Sequence, residues 1–316
     1  MMKRAGAMTA GTLIFLAACG DHEQQTDTSG AVTPDTFPDT VLAGETDRIY
    51  SQMSSNFQEQ ISEDELDNLT DNFIRGIESF EHYTETDFGE SAEHIWISDT
   101  RDRGMTAHFS EDLTIEGMVF TPVTFHPDAD ENWTENTYAL PIGEDEWFVL
   151  WGGTNELVNY HYAFENQRYA LDLIVMNDGA SFEGDPEEND SYFAFGLEVK
   201  APLEGEVIRV ENDLPDQTPG VEKDPENLLG NYVMIEHEHG EYSVLAHFKQ
   251  DSITVAEGEH VETGDLIGLT GNSGNTTEPH IHFHVADSPN WETATSLPIA
   301  FENGLDPVRG DTVTGE

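Results

Sequence analysis

Cysteine is almost absent: the only one in 316 residues is Cys19. No intramolecular disulfide can form and a cysteine-rich zinc site is excluded, so any metal must sit on histidine and carboxylate. Basic residues are nearly as scarce, with 12 Lys plus Arg against 64 Asp plus Glu and a formal net charge of -52. The acidic residues run along the whole chain, so the surface repels nucleic acid and anionic membrane. Such a charge strains a fold by self-repulsion unless salt shortens the Debye length to about 3 Å near 1 M. A halophilic protein is the expectation. A disordered acidic solubiliser is excluded, because 10% aromatic residues and repeated apolar alternations are available to build cores. Membrane-spanning runs are missing as well. The apolar stretch Ala5 to Ala18, behind Lys3 and Arg4, is shorter than the ~20 residues that cross a bilayer, and its layout is that of an export signal over residues 1–18.

What is there begins at that signal's end. Leu16-Ala17-Ala18-Cys19 resembles the lipobox of bacterial lipoproteins. The resemblance implies cleavage before Cys19, acylation of Cys19, and an exported protein held by its N-terminal lipid to a membrane facing the cell wall or periplasm. Residues 19–44 then read as the lipidated cysteine and a flexible tether rich in Thr, Asp, Pro and Gln.

From Glu45 the pattern turns helical, with Ile49, Met53 and Phe57 four apart. Ser62-Glu63-Asp64-Glu65 then forms a capping box ahead of Leu66, Leu69, Phe73 and Ile77. Strand-like runs follow at Ile95 to Ile97, Met105 to Phe109 and Leu113 to Phe125, punctuated by Asp102-Arg103-Gly104 and Glu116-Gly117. Residues 45–125 therefore read as a small α+β accessory domain. Helices followed by a curved antiparallel sheet resemble the NTF2-like domains of exported bacterial proteins. His82, His94 and His108 are scattered along it and suggest no site. Residues 126–146 read as a polar connector, and residues 147–316 as strands and turns with no helix longer than two turns.

Two anomalies in that last region point to chemistry. In Pro279-His280-Ile281-His282-Phe283-His284, strand alternation lines the three histidines on one face and the apolar residues on the other. In Ala170-Leu171-Asp172-Leu173-Ile174-Val175, a buried strand carries one carboxylate, which must be a metal ligand, an ion-pair partner of Arg168 four residues earlier, or a protonated acid. His247 closes another strand, Tyr242 to His247. His237 and His239 flank Glu238 in a Gly-bounded hairpin and read as exposed.

These residues, with Ala201-Pro202-Leu203-Glu204-Gly205, Gly230-Asn231-Tyr232-Val233, Val261-Glu262-Thr263-Gly264-Asp265 and Gly271-Asn272-Ser273-Gly274, stand in an order that resembles the lysostaphin and LytM-like zinc metallopeptidases, family twenty-three. The resemblance implies a mostly antiparallel all-β peptidase domain with a groove, acting on peptide bonds in cell-wall peptidoglycan. It assigns Asp172 and His282 as zinc ligands and His247 and His280 as catalytic histidines. The position of the family's usual first ligand holds Arg168, whose guanidinium cannot bind a cation. His161, in Asn159-Tyr160-His161-Tyr162, is the substitute, with Gln167 a poorer one. Two imidazoles and a carboxylate suit Zn²⁺ and leave a fourth position for water. His284 stands where the family often has Glu and is expected to hold His282 or His280 by a ring hydrogen bond. Asn212 to Asn227, rich in Pro, Asp and Asn, is placed to set specificity.

The enzyme reading competes with a catalytically inactive relative that binds the wall or activates an amidase, since Arg168 removes a usual ligand. A lipoyl or biotinyl carrier shares the strand rhythm but needs a lysine at a hairpin tip, and Lys200, Lys223 and Lys249 are not so placed.

Overall fold

The computed structural model describes residues 30–315. The export signal expected over residues 1–18 and the acylated Cys19 lie outside the described residues, among which no helix is long and apolar enough to cross a membrane. The folded part begins earlier than composition suggests. Val32 is buried, and α1 (Phe37–Leu42) buries Phe37 and Val41 completely, so the expected tether gives way to core well before Gly44. Three apolar side chains reach a core that the surrounding Thr, Pro and Asp conceal.

The register of Ile49, Met53 and Phe57 predicts one helix, and the structure has two, α2 (Thr46–Gln52) and α3 (Ser55–Gln58). Met53 between them is extended and bridges Ile115, because its side chain gains more from the sheet core than from a helical turn. α4 (Glu63–Phe73) opens on the expected capping box, with the Ser62 side chain accepting from the Glu65 backbone and the Glu65 carboxylate accepting from the Ser62 backbone. It ends short of Ile77.

Four strands follow as an antiparallel meander: β1 (Phe80–Asp87), β2 (Ser91–Ser98), β3 (Arg103–Ser110) and β4 (Ile115–Pro122). Gly117 is not a turn; it lies within β4 opposite His108, beside a bulge. Alternation along β2 divides two cores. Trp96 packs with Phe37, Ile49 and Leu66 of the helices, whereas Ile95 and Ile97 pack with Val123, Leu157 and Val158 beyond the sheet. Glu93, on the latter face, accepts from Arg309 Nε at 2.8 Å and faces His108 Nε2 at 3.2 Å. Burial pushes the Glu93 carboxyl up, but His108 and Arg309 outweigh it and hold Glu93 below the usual carboxylate range.

The polar connector is tied down as well. Within it α5 (Pro127–Asp130) places Asp130 to accept hydrogen bonds from the hydroxyls of Tyr162 at 2.9 Å and Tyr169 at 2.8 Å. Beyond it come β5 (Glu146–Trp151), β6 (Leu171–Ile174), β7 (Glu198–Lys200), β8 (Gly205–Glu211), β9 (Asn231–Glu236) and β10 (Tyr242–Phe248). After them run β11 (His260–Val261), β12 (Leu266–Leu269), β13 (Ile281–Ala286), β14 (Ser296–Leu297) and β15 (Thr312–Thr314). A nine-stranded sheet runs β11-β8-β9-β10-β13-β6-β5-β15, with β14 beside β13, and β7 pairs with β12 in a separate ribbon. The named pairs are antiparallel, as expected for this half of the chain. Leu171, Leu173, Val233, Leu245, Ile281 and Phe283 fuse one face of the sheet into a core that Val199 and Ile267 of the ribbon cover. At about 1.5–3 kcal/mol for each such side chain buried, this face holds β6, β13 and β10 in register. On the opposite face a smaller cluster of Leu229, Met234, Val244 and Ala246 borders the polar residues of β6 and β13.

Candidate metal centre

Register decides which polar residues meet. His282 on β13 lies opposite Asp172 on β6 and opposite Ala246 on β10, so an imidazole and a carboxylate project side by side from neighbouring strands. His282 Nδ1 and Asp172 Oδ1 are 2.9 Å apart. Arg168 is not the partner of Asp172; its guanidinium lies over the ring of Tyr162 at 5.4 Å. His161 takes the place instead. It sits on a 3₁₀ turn, Tyr160–Ala163, after which Phe164 to Ala170 turns back to the sheet, and its Nε2 is 3.6 Å from Asp172 Oδ2. His161, Asp172 and His282 each offer a ligand atom within 4.8 Å of the others, and all three are buried.

Asn159, fully buried, is a residue that sequence reasoning did not single out. Its amide nitrogen donates to the carbonyls of Ala170 at 3.0 Å, Gly153 at 3.2 Å and Arg168 at 3.4 Å. That fixes its oxygen toward His161, where it accepts from the backbone N–H at 3.1 Å and meets Nδ1 at 3.0 Å. Nδ1 must carry the proton, leaving the Nε2 lone pair aimed at Asp172. A second support is aromatic: Tyr160 lies against His161 with ring centroids 3.9 Å apart, Trp151 meets Tyr160 edge-on at 5.3 Å, and Arg309 sits 4.2 Å over Trp151.

Two more histidines border the three. His247 Nδ1 donates to the Ser273 carbonyl at 2.8 Å, and His280 Nδ1 donates to the Glu278 carbonyl at 2.8 Å. Both therefore present a free Nε2, that of His280 lying 3.6 Å from Asp172 Oδ1. The two rings are 4.7 Å apart. His247 sits at a bulge in β10 with φ 68, a left-handed backbone uncommon outside glycine. The Gly271-Asn272-Ser273-Gly274 loop has a physical role here: Ser273 holds His247. Gly274, at φ +87, lets the loop approach Gly230, whose nitrogen would stand 2.4 Å from an added Cβ. The segment Asn212 to Asn227 runs along this loop, through Gln217 N to Asn272 O and Asp224 N to Gly274 O.

Burial lowers His161 to about 3, with His282 and His280 reinforcing and Asp172 opposing, and it drives His247 well below the ordinary histidine value, with His280 and His282 reinforcing. Burial alone would raise Asp172, but the surrounding His161, His280 and His282 hold it below the usual range. His161 and His247 are thus neutral imidazoles near an ionised carboxylate, donor states that suit a cation. His284, fully buried, contacts His282 through Nδ1 to Nε2 at 2.9 Å, and its own Nε2 has no partner among the described residues.

Other histidines differ from expectation. His237 is buried, bonded to the Glu204 carbonyl and Ser243 Oγ at 2.8 Å each, whereas His239 is exposed. His82 and His94, scattered in sequence, meet across β1 and β2 with ring centroids 5.8 Å apart. The signal that could have found them is the pairing of those strands.

The model of Peptidase family M23 matches residues 190–293, a stretch that includes His247, His280, His282 and His284 but begins after His161 and Asp172. Over 73 residues the chain is 39% identical to the peptidoglycan DD-endopeptidase ShyA of Vibrio cholerae, covering 22% of this chain and 16% of that protein. Over 54 residues it is 41% identical to the DD-carboxypeptidase/endopeptidase Mpg of Neisseria meningitidis, covering 17% of this chain and 12% of that protein. The matches thus take in less than a fifth of either relative. Among solved structures, the catalytic domain of lysostaphin from Staphylococcus simulans aligns at 24% identity over 40% of this chain and 74% of that one, with a TM-score of 0.26.

Proposed function

Because the C-terminal half of the chain carries an M23 peptidase domain, we propose that the protein is an exported zinc metalloendopeptidase that hydrolyses peptide bonds in cell-wall peptidoglycan. The observation that carries the reading is the buried trio of His161, Asp172 and His282, with the free Nε2 atoms of His247 and His280 beside it. The trio fits zinc: two imidazoles and a carboxylate converge, and Asn159 has already fixed the tautomer of His161. His161 Nε2, the Asp172 carboxylate and His282 Nδ1 would hold the ion. When bound, zinc polarises the scissile carbonyl and makes a water molecule acidic near neutral pH.

The chain's own groups do the rest. His247, neutral through burial, accepts a proton at Nε2 from the attacking water and returns it to the departing amine. His280, after taking a proton at Nε2 from solvent, donates a hydrogen bond to the oxyanion of the tetrahedral intermediate. His284 Nδ1 accepts the Nε2 proton of His282, which frees the His282 Nδ1 lone pair for the cation. The main support for an inactive wall-binding or amidase-activating module was Arg168, and it weakens with His161 standing beside Asp172. Cys19 would carry the lipid that tethers the enzyme to its membrane, and the charge of -52 suits work at high salt.

The test is digestion of purified peptidoglycan in high salt by the full mature chain and by Asp172→Ala, with bound zinc measured by elemental analysis. Wild type is expected to release muropeptides, and the variant to bind one zinc fewer and release none. Equal release by both, or none by wild type, overturns the proposal.

A further inference from the structure

Away from the cleft, His82, Glu85 and His94 each offer a ligand atom within 4.8 Å of the others. His82 pairs with Trp96 and Glu85 with His94 across β1 and β2, so the faces of the sheet can be followed residue by residue. Trp96 and His94 are two apart and share the face that packs on the helices. His82 and Glu85 are three apart and would normally point to opposite faces; a bulge between His82 and Thr84 inserts one residue and returns both to the face of His94. The irregularity in β1 is what assembles the group.

His94 is held firmly. It is buried, its ring stacks on Trp96 at 5.8 Å and meets Phe109 edge-on at 5.8 Å. His94 Nδ1 lies 3.7 Å from Glu85 Oε2, too far for a hydrogen bond and near the separation of two ligands on one ion with bonds of about 2.0–2.1 Å. Asp35, just ahead of α1, adds a negative charge that the ring feels. By contrast, the trio Glu204, His260 and Glu262 is wholly exposed and has only one imidazole.

We propose that His82, Glu85 and His94 form a second divalent-cation site of zinc type, separate from the cleft, that pins the edge strand β1 to β2 across its bulge. Exposure of His82 and Glu85 leaves a further coordination position to water. The site is tested in a protein whose cleft is disabled, so that its outcome is independent of the peptidase reading.

Metal-stripped full-length protein carrying Asp172→Ala is dialysed against zinc in high salt, with excess calcium to occupy the acidic surface, and bound zinc is counted by elemental analysis. One zinc per chain is expected, falling to none when His82→Ala is added. His82 is exposed, and circular dichroism of the metal-free double variant checks that the fold is kept. Zinc should also raise the Tm of the Asp172→Ala protein and leave that of the double variant unmoved. Zinc content or Tm response unchanged by His82→Ala, or no zinc bound by Asp172→Ala, overturns the site.

Discussion

Replacing Asn159 by leucine keeps the volume of the side chain but removes the amide that fixes His161. The lost contacts are two to His161, at 3.1 and 3.0 Å, and three to carbonyls at 3.0, 3.2 and 3.4 Å, all in the interior. A buried polar group left unpaired costs about 1–3 kcal/mol. Counting only the shortest carbonyl contact and the two on His161, and allowing for relaxation of the turn, the expected loss of stability is about 3–5 kcal/mol. Zinc affinity should fall by about 10–100-fold, the usual effect of removing a group that orients a metal-ligating histidine.

Asn159→Asp separates the two effects. One carboxylate oxygen still accepts from His161 Nδ1, while the other faces the three carbonyl oxygens, so stability falls but the tautomer is kept. Chelator competition on folded protein in high salt measures the affinities, and the expected order is wild type, then Asn159→Asp, then Asn159→Leu. Leucine binding zinc as tightly as asparagine would falsify the role given to this amide.

Three further outcomes follow. Arg309→Met leaves Glu93 buried without its guanidinium, and unfolding by denaturant should show a loss of about 3–5 kcal/mol, most of it recovered in the Glu93→Leu, Arg309→Met pair; a double variant no better than the single refutes the pairing. His280→Ala and His247→Ala should each lower kcat/KM by about 10²–10⁴-fold with zinc content unchanged, and loss of zinc from either would instead make that residue a ligand. In the metal-free protein, His161, His247 and His284 resist protonation when folded, whereas unfolded imidazoles titrate near pH 6.5. The unfolded chain therefore binds more protons below that pH, and stability, intact above it, falls on acidification by about 1.4 kcal/mol per pH unit for each such histidine. Denaturation at pH 7 and pH 5 should show a shallower fall for His284→Gln, and identical slopes count against a neutral buried His284.

The sequence made legible whatever depends on local periodicity. The alternation in His280 to His284 shows which side chains share a face, the capping box shows where α4 starts, and the antiparallel strands of the C-terminal half stand near their expected bounds. It hid whatever depends on distant pairing. β1, reading Phe-Glu-His-Tyr-Thr-Glu-Thr-Asp, lacks an apolar face and is a strand because β2 pairs with it. Glu93 and Arg309 are 216 positions apart. Asn159 looks like an ordinary turn residue until the carbonyls around it are seen. The helical register through Met53 misleads because a β-bridge to Ile115 competes for the same residue.

The left-handed backbone of His247 sets a direction for how this sequence can drift. Holding a residue with a Cβ there costs about 1 kcal/mol, a cost glycine would not bear. Of the possible substitutions at position 247 only glycine recovers that cost, and it loses the imidazole in the same step. A single change to glycine would thus leave a sheet that is easier to fold and a cleft short of one imidazole.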